Sequence, residues 1–195
     1  MLRNDFVSNS SSASFIVVSK EPEGFKDIMQ NRAPTGVVSL PDPEIGRSQF
    51  GRCAEQFTSI GAKLNFAAIQ LCDLNRISLL PEKELNSWYA KTVQKYIDKY
   101  EEYEKMFVNV CKRLGFDVVL NYSYNDNNDY SCWIDHSSSV CEGENMCIFN
   151  DEETLYNFLK NCYSYIQMLS DEEEDDMEML RKAREDGIIC SEKTS

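Results

Sequence analysis

The sequence predicts an α+β domain: an antiparallel sheet with a β-hairpin at about 117–135, packed against several helices that include a long one at about 81–114. Three observations carry this prediction. Short β-branched runs such as Phe15-Ile16-Val17-Val18 read as buried strands. The stretch after Gly115 alternates apolar and polar residues, the period of a half-buried strand. From Leu85 to Leu114, apolar residues recur every three or four positions, the period of one helix face.

Taken in order, a polar segment, Phe6 to Ser14, feeds the first strand at Phe15-Ile16-Val17-Val18. Pro22 suits the first position of a short helix carrying Phe25, Ile28 and Met29, which must end before Pro34. Val37-Val38 reads as a short strand. Two helical patterns broken at Gly61 follow: one carries Phe50, Ala54 and Phe57, the other Leu64, Ala67, Leu71 and Leu74. The long helix shows Leu85, Tyr89, Val93, Ile97, Tyr100, Tyr103, Phe107, Cys111 and Leu114 on one stripe, and Gly115 stops it. In the hairpin, Val118, Leu120, Tyr122 and Tyr124 share a face, Asn125-Asp126-Asn127-Asn128 turns, and Tyr130, Cys132 and Ile134 return. Asn150 and Glu153 form a capping box for a helix burying Leu155, Phe158, Leu159 and Cys162. Tyr165-Ile166-Gln167-Met168 reads as another strand.

A chain of 195 residues is long enough to bury roughly 70% of its unfolded surface, so it needs no disulfide staples. Residues 1–170 are expected to form a single α+β domain and 171–195 an acidic C-terminal helix or tail. With 20 basic and 33 acidic residues, the net charge is −13. That field repels phosphate backbones and anionic membranes, and no basic patch opposes it, so neither direct nucleic-acid binding nor membrane association is expected. The N-terminus has no signal-peptide core and no run reaches membrane length, which points to the cytoplasm. Eight cysteines without a Cys-x-x-Cys pair then read as reduced core or surface thiols.

Four segments resemble chemical motifs. Gly46 to Cys53 has the glycine spacing of a phosphate loop, but Arg52 and Cys53 replace the lysine and the hydroxyl that do its chemistry. Asn125, Asn127 and Asp129 have calcium-loop spacing, yet Tyr130 stands at the glycine position and His136 at the bidentate glutamate position. Cys132, His136, Cys141 and Cys147 are four possible zinc ligands, at intervals unlike the usual knuckles. His136, the only histidine, is the one imidazole available as a base. Asp135 beside it would point to the opposite face of a strand, and Cys141 or the serines at 137, 138 and 139 would be its nucleophiles. No cofactor and no metal is implied by these motifs. The run from Ser8 to Ser14 fits a modified or processed segment, an anion-holding loop or a simple turn, and composition does not separate them.

Between Asp171 and Glu178 lie seven acids in eight residues: Asp171, Glu172, Glu173, Glu174, Asp175, Asp176 and Glu178. Ser170 with Glu173 fits a capping box, acids crowd the positive helix end, Arg181, Lys182 and Arg184 lie near the negative end, and Gly187 caps it. Helix electrostatics thus explains the order of the charges. The surplus acid makes the same segment the best candidate for contact with a basic protein partner.

The opening Arg3-Asn4-Asp5-Phe6-Val7-Ser8-Asn9-Ser10-Ser11-Ser12-Ala13-Ser14-Phe15-Ile16 resembles that of a group of uncharacterised phage and prophage-associated bacterial proteins, which begin with an Asp-Phe-Val-Ser-Asn-Ser-Ser-Ser-like element. Lys63-Leu64-Asn65-Phe66, Trp133-Ile134-Asp135-His136, and the stretch from Ile148-Phe149 through Phe158-Leu159 to Ser164-Tyr165-Ile166 are similar to theirs as well. Some members continue with Thr-Gly-Asn-Asp-Asn where this chain has Gln167-Met168-Leu169-Ser170 and the acidic run. The resemblance implies a mobile-element setting and no particular mechanism. The first expectation is therefore a non-enzymatic protein-binding or regulatory protein of a phage or prophage, acting through its acidic surface on a host or phage protein. The alternatives are a small enzyme using His136 as acid/base, and a virion or assembly component; the sequence leaves the oligomeric state open.

Overall fold

The computed structural model describes residues 14–19, 33–51, 55–80, 94–124, 132–134, 145–168 and 187–189. Their architecture is α+β, with an antiparallel sheet packed against helices. The strands are β1 Ser14–Ser19, β2 Gly36–Leu40, β3 Gln49–Phe50, β4 Glu55–Phe57, β5 Phe116–Leu120, β6 Trp133–Ile134, β7 Tyr165–Met168 and β8 Gly187–Ile189. The helices are α1 Ile60–Ser78, α2 Tyr100–Leu114 and α3 Glu152–Lys160, with a 3-10 segment at Asn145–Phe149.

The antiparallel sheet has the order β4-β7-β1-β8. Ile16 pairs with Ile166 on β7, Val18 with Ile188 on β8, and Phe57 with Ile166 from the other side. Two smaller pairs are parallel: β2 with β5, in register Val38 to Val118, and β3 with β6, Phe50 to Ile134. The hairpin expected at 117–135 therefore does not form. Alternation correctly marks Val118 and Leu120 as buried on β5, where Phe116 joins them, whereas Tyr122, expected on the same face, lies beyond the strand and is exposed. The chain then turns at Tyr122–Tyr124, with Tyr124 N–H donating to Asn121 O, and Trp133 N–H donates instead to Ser48 O beside β3. Local period two identifies a strand without choosing its partner. Residues 125–131 lie outside the described residues.

Helix α1 runs through the middle of the core. All of it except Asn75, Arg76 and Ser78 is buried, so the expected apolar stripe is a helix enclosed nearly all round. It contacts α2, α3, β2 and β6. Ser59 caps it, its Oγ accepting from Ala62 N–H at 3.3 Å. Gly61 lies inside its first turn and does not break a helix. A Cβ there would stand 2.1 Å from Ile45 O, so the absence of a side chain lets the loop before β3 rest on the helix backbone. Asn65 fastens the same loop: its Nδ2 donates to Asp42 O at 2.8 Å and Gly46 O at 3.1 Å, and its Oδ1 accepts from Asp42 N–H. The glycine spacing that resembles a phosphate loop is thus tied, at Gly46, to backbone packing.

Phe50 and Phe57 do not share a helix. They lie on β3 and β4, and their rings meet edge to face at 5.1 Å, with Phe66 of α1 5.2 Å from Phe50. Their spacing mimics a helix because two separate strands deliver them to one cluster; Ala54 lies outside the described residues. The long helix at 81–114 is also divided. Residues 94–97 are helical, 98–99 form a turn, and Tyr100 begins α2, which buries Tyr103, Phe107, Val110 and Cys111. Gly115 ends it in the left-handed conformation (φ 103°), its N–H donating back to Cys111 O and Lys112 O. Residues 81–93 and the helix expected from Pro22 lie outside the described residues.

Helix α3 is capped one residue later than expected, by Asp151, whose Oδ1 takes Thr154 N–H at 2.8 Å and whose Oδ2 takes the Thr154 hydroxyl at 2.7 Å; its full charge also suits the positive end of the helix. Glu153 instead reaches across to Arg113 of α2, which also lies 3.6 Å from the centre of the Tyr156 ring. Leu155, Phe158 and Leu159 are buried as expected, while Cys162 is buried just beyond the helix end. Gly187, expected as a helix cap, is the first residue of β8, so the chain after 170 returns to the main sheet. Among the described residues, no helix is long and apolar enough to cross a membrane.

Candidate functional site

Most residues singled out by sequence fall outside the described residues: Asp135, His136 and Cys141, Asn125, Asn127 and Asp129, and the acids Asp171, Glu172, Glu173, Glu174, Asp175, Asp176 and Glu178. Cys132 is buried next to β6, and Cys147 is half-buried in the 3-10 segment. Among the described residues, no group of three or more histidine, cysteine or carboxylate side chains could hold a metal.

The structure does assemble a polar group that sequence reasoning missed. It lies where β5 ends and the chain turns at Asn121–Tyr124, against the flanks of α1 and α2. Asp73 of α1 is buried there, with 10% of its side chain exposed. Its Oδ1 accepts from the Tyr124 hydroxyl at 2.9 Å and from Arg76 Nη2 at 3.0 Å. Burial raises the pKa of Asp73 above the usual carboxylate value, while Arg76 and the Tyr124 hydrogen bond oppose that rise. The Tyr124 phenol is raised too, first by burial and then by the Asp73 charge. Cys72, one residue earlier, donates to Asn121 O at 3.7 Å. Its thiol is pushed up to about 12 by burial, reinforced by Asp73, Glu104 and Cys132, so it is an inert core sulfhydryl.

A second chain of bonds leads outward. The hydroxyls of Tyr100 and Tyr122 are 2.5 Å apart, and Tyr122 donates to Glu104 Oε1 at 2.7 Å. Tyr100 and Glu104 are one turn apart on α2, and Glu101 lies three residues before Glu104 on the same side. Tyr122 is 46% exposed, so this part meets solvent. Burial, followed for Tyr122 by its hydrogen bonds to Tyr100 and Glu104, raises both phenols; Tyr100 is pushed up to about 12 by burial, although its bond to Tyr122 opposes the rise.

Chemically, this is a fixed acceptor bordered by two aromatic rings. The Glu104 carboxylate has lone pairs beyond the one used by Tyr122, and Tyr rings attract cations. The arrangement suits an incoming ammonium or guanidinium better than proton transfer at neutral pH, because its phenols and thiol titrate well above that range. One signal in the sequence lies nearby: within the mostly apolar stretch Ile60–Leu74 of α1, Lys63, Asn65, Gln70 and Asp73 are polar and buried, and Asp73 belongs to this group. Comparison with protein-family models, curated proteins and solved structures finds no match to this chain.

Proposed function

We propose that this chain is a non-enzymatic binding protein of a phage or prophage that acts by occupying a basic host or phage protein. The observation that carries the reading is the solvent-facing Glu104–Tyr122–Tyr100 group on a chain of net charge −13. The excess negative charge steers a basic partner toward the surface. Ordered tyrosines beside a carboxylate then supply an anchor with little side-chain entropy left to lose. The acids between 171 and 178 add to the same field, and the N-terminal resemblance supplies the mobile-element setting.

The test is affinity capture from the producing cell, followed by quantitative binding to the recovered partner. Binding should weaken steeply with salt. It should survive His136→Ala and fall when Asp171, Glu172, Glu173, Glu174, Asp175, Asp176 and Glu178 become amides. The pair Glu104→Gln and Tyr122→Phe should cost about tenfold or more in affinity. An enzymatic activity abolished by His136→Ala, with the fold intact, would overturn the reading in favour of a catalyst.

A further inference from the structure

The β2–β5 pair leaves one accessible strand margin without a neighbour. In its parallel register Leu40 stands opposite Leu120, and Asn121 N–H donates to Leu40 O at 2.6 Å. Backbone groups alternate sides along a strand, so Gly36, Val38 and Leu40 turn theirs toward β5, and Val37 and Ser39 turn theirs away. Among the described residues, the amides and carbonyls of Val37 and Ser39 meet no hydrogen-bond partner. Both residues are exposed, Val37 by 72%. The outward groups of β5 belong instead to Phe116, Val118 and Leu120, which are buried.

Two further observations bear on what this margin takes. Native folds blunt open sheet edges with charged side chains, proline or a bulge. Gly36-Val37-Val38-Ser39-Leu40 carries no charge and no proline, and its register with β5 is unbroken. Parallel strands ordinarily have both faces covered, yet Val37 and Val119, the latter 56% exposed, stand uncovered on the outer face. On that face Val37, Ser39 and Val119 are neutral, while Asp117, exposed and opposite Val37, is negative. A second copy would bring another charge of −13 to the same place, whereas a cationic strand is drawn in.

We infer that β2 is completed by an extended, lysine- or arginine-bearing segment of a protein partner, laid along this margin as an added strand. The partner's backbone exchanges hydrogen bonds with Val37 and Ser39, and its alternate side chains lie beside theirs on the outer face. An apolar side chain there covers Val37, and a basic one is favoured by Asp117 and by the field of the whole chain. The inference rests on the reading of this chain as a binder of basic proteins and adds how the partner's backbone is held.

The probe is a short end-blocked peptide of alternating lysine and valine, titrated into the full-length protein by calorimetry at neutral pH. It should bind. A copy N-methylated at every amide, which keeps the charges and side chains but cannot donate, should bind at least about tenfold more weakly. The same peptide with glutamate for lysine should not bind measurably. Ser39→Pro removes an outward amide and no bond to β5, so it should weaken the lysine peptide about tenfold with circular dichroism unchanged. Asp117→Asn should weaken it about threefold. Absence of binding at millimolar peptide, equal binding by the methylated copy, or indifference to Ser39→Pro would each overturn the inference. If Ser39→Pro does not fold, the methylated copy decides the matter on the wild-type protein. A wild-type dimer in sedimentation that Ser39→Pro dissolves would also overturn it, since a second copy then holds the margin. A partner recovered from cells that is weakened by Glu104→Gln but not by Ser39→Pro would remove this inference and leave the basic-protein reading standing.

Discussion

Lys63 places an ammonium group with no solvent exposure at the centre of the fold. It is held by the carboxyl end of α3: Nζ donates to Asn161 O at 2.8 Å and to Ser164 O at 3.2 Å. Those carbonyls do not replace water fully, and burial lowers its pKa from 10.5 to about 7. Between these two values the unfolded chain holds the extra proton, so stability should rise as pH increases from 7. Above about 9 the buried thiols reverse the slope: Cys72 and Cys111 are pushed up to about 12, so the unfolded chain loses their protons first. Urea denaturation should therefore show greatest stability near pH 9, and Lys63→Met should abolish the rise between pH 7 and 9. Persistence of that rise in the variant would show that Lys63 is not its source. Asp73 works in the opposite sense. Its raised pKa means the folded chain keeps a proton that the unfolded chain has released, so stability declines as pH rises past the ordinary carboxylate value of 3.8. Asp73→Asn can still accept the Tyr124 hydroxyl, and it should remove that decline and raise the melting temperature at pH 7.

At the level of elements, the close approach at Gly61 can be tested against the open surroundings of Gly115. Gly61→Ala puts a methyl group into the Ile45 carbonyl, which is backbone and cannot rotate away. It should cost roughly 2–3 kcal/mol in chemical denaturation. Gly115→Ala meets nothing within 4 Å and bears only the strain of its positive φ, so roughly 1 kcal/mol is expected. Equal losses would mean that crowding at Gly61 is relieved elsewhere. Asp151→Ala should cost about 1 kcal/mol as α3 loses its cap. The elements legible in the sequence were those whose signal is local: β1, β2, β7, the buried stripe of α2 and the apolar face of α3. Phe50 and Phe57 misled because spacing along the chain cannot distinguish one helix face from two strands meeting at a cluster. The division at 98–99 was hidden because Ile97 and Tyr100 keep the apolar rhythm across the turn. Asp73 and Tyr124 escaped notice because each looks ordinary alone, and their contact spans 51 positions.

Across the whole molecule, class was readable and connectivity was not. The alternating residues of β5 say that one face is buried; only packing chooses β2 as its neighbour, across the intervening α1 and α2.

The return of Gly187–Ile189 to the sheet has a practical consequence. β7 and β8 flank β1 on its two sides, so the span that carries the acidic run is anchored at both ends to the same strand. A chain shortened at residue 170, where composition suggests a convenient cut, would strip one side of β1 of its hydrogen-bonding neighbour. Bare strand margins recruit other molecules. Such a fragment should sediment as concentration-dependent aggregates, while the intact chain holds that margin closed with its own last strand.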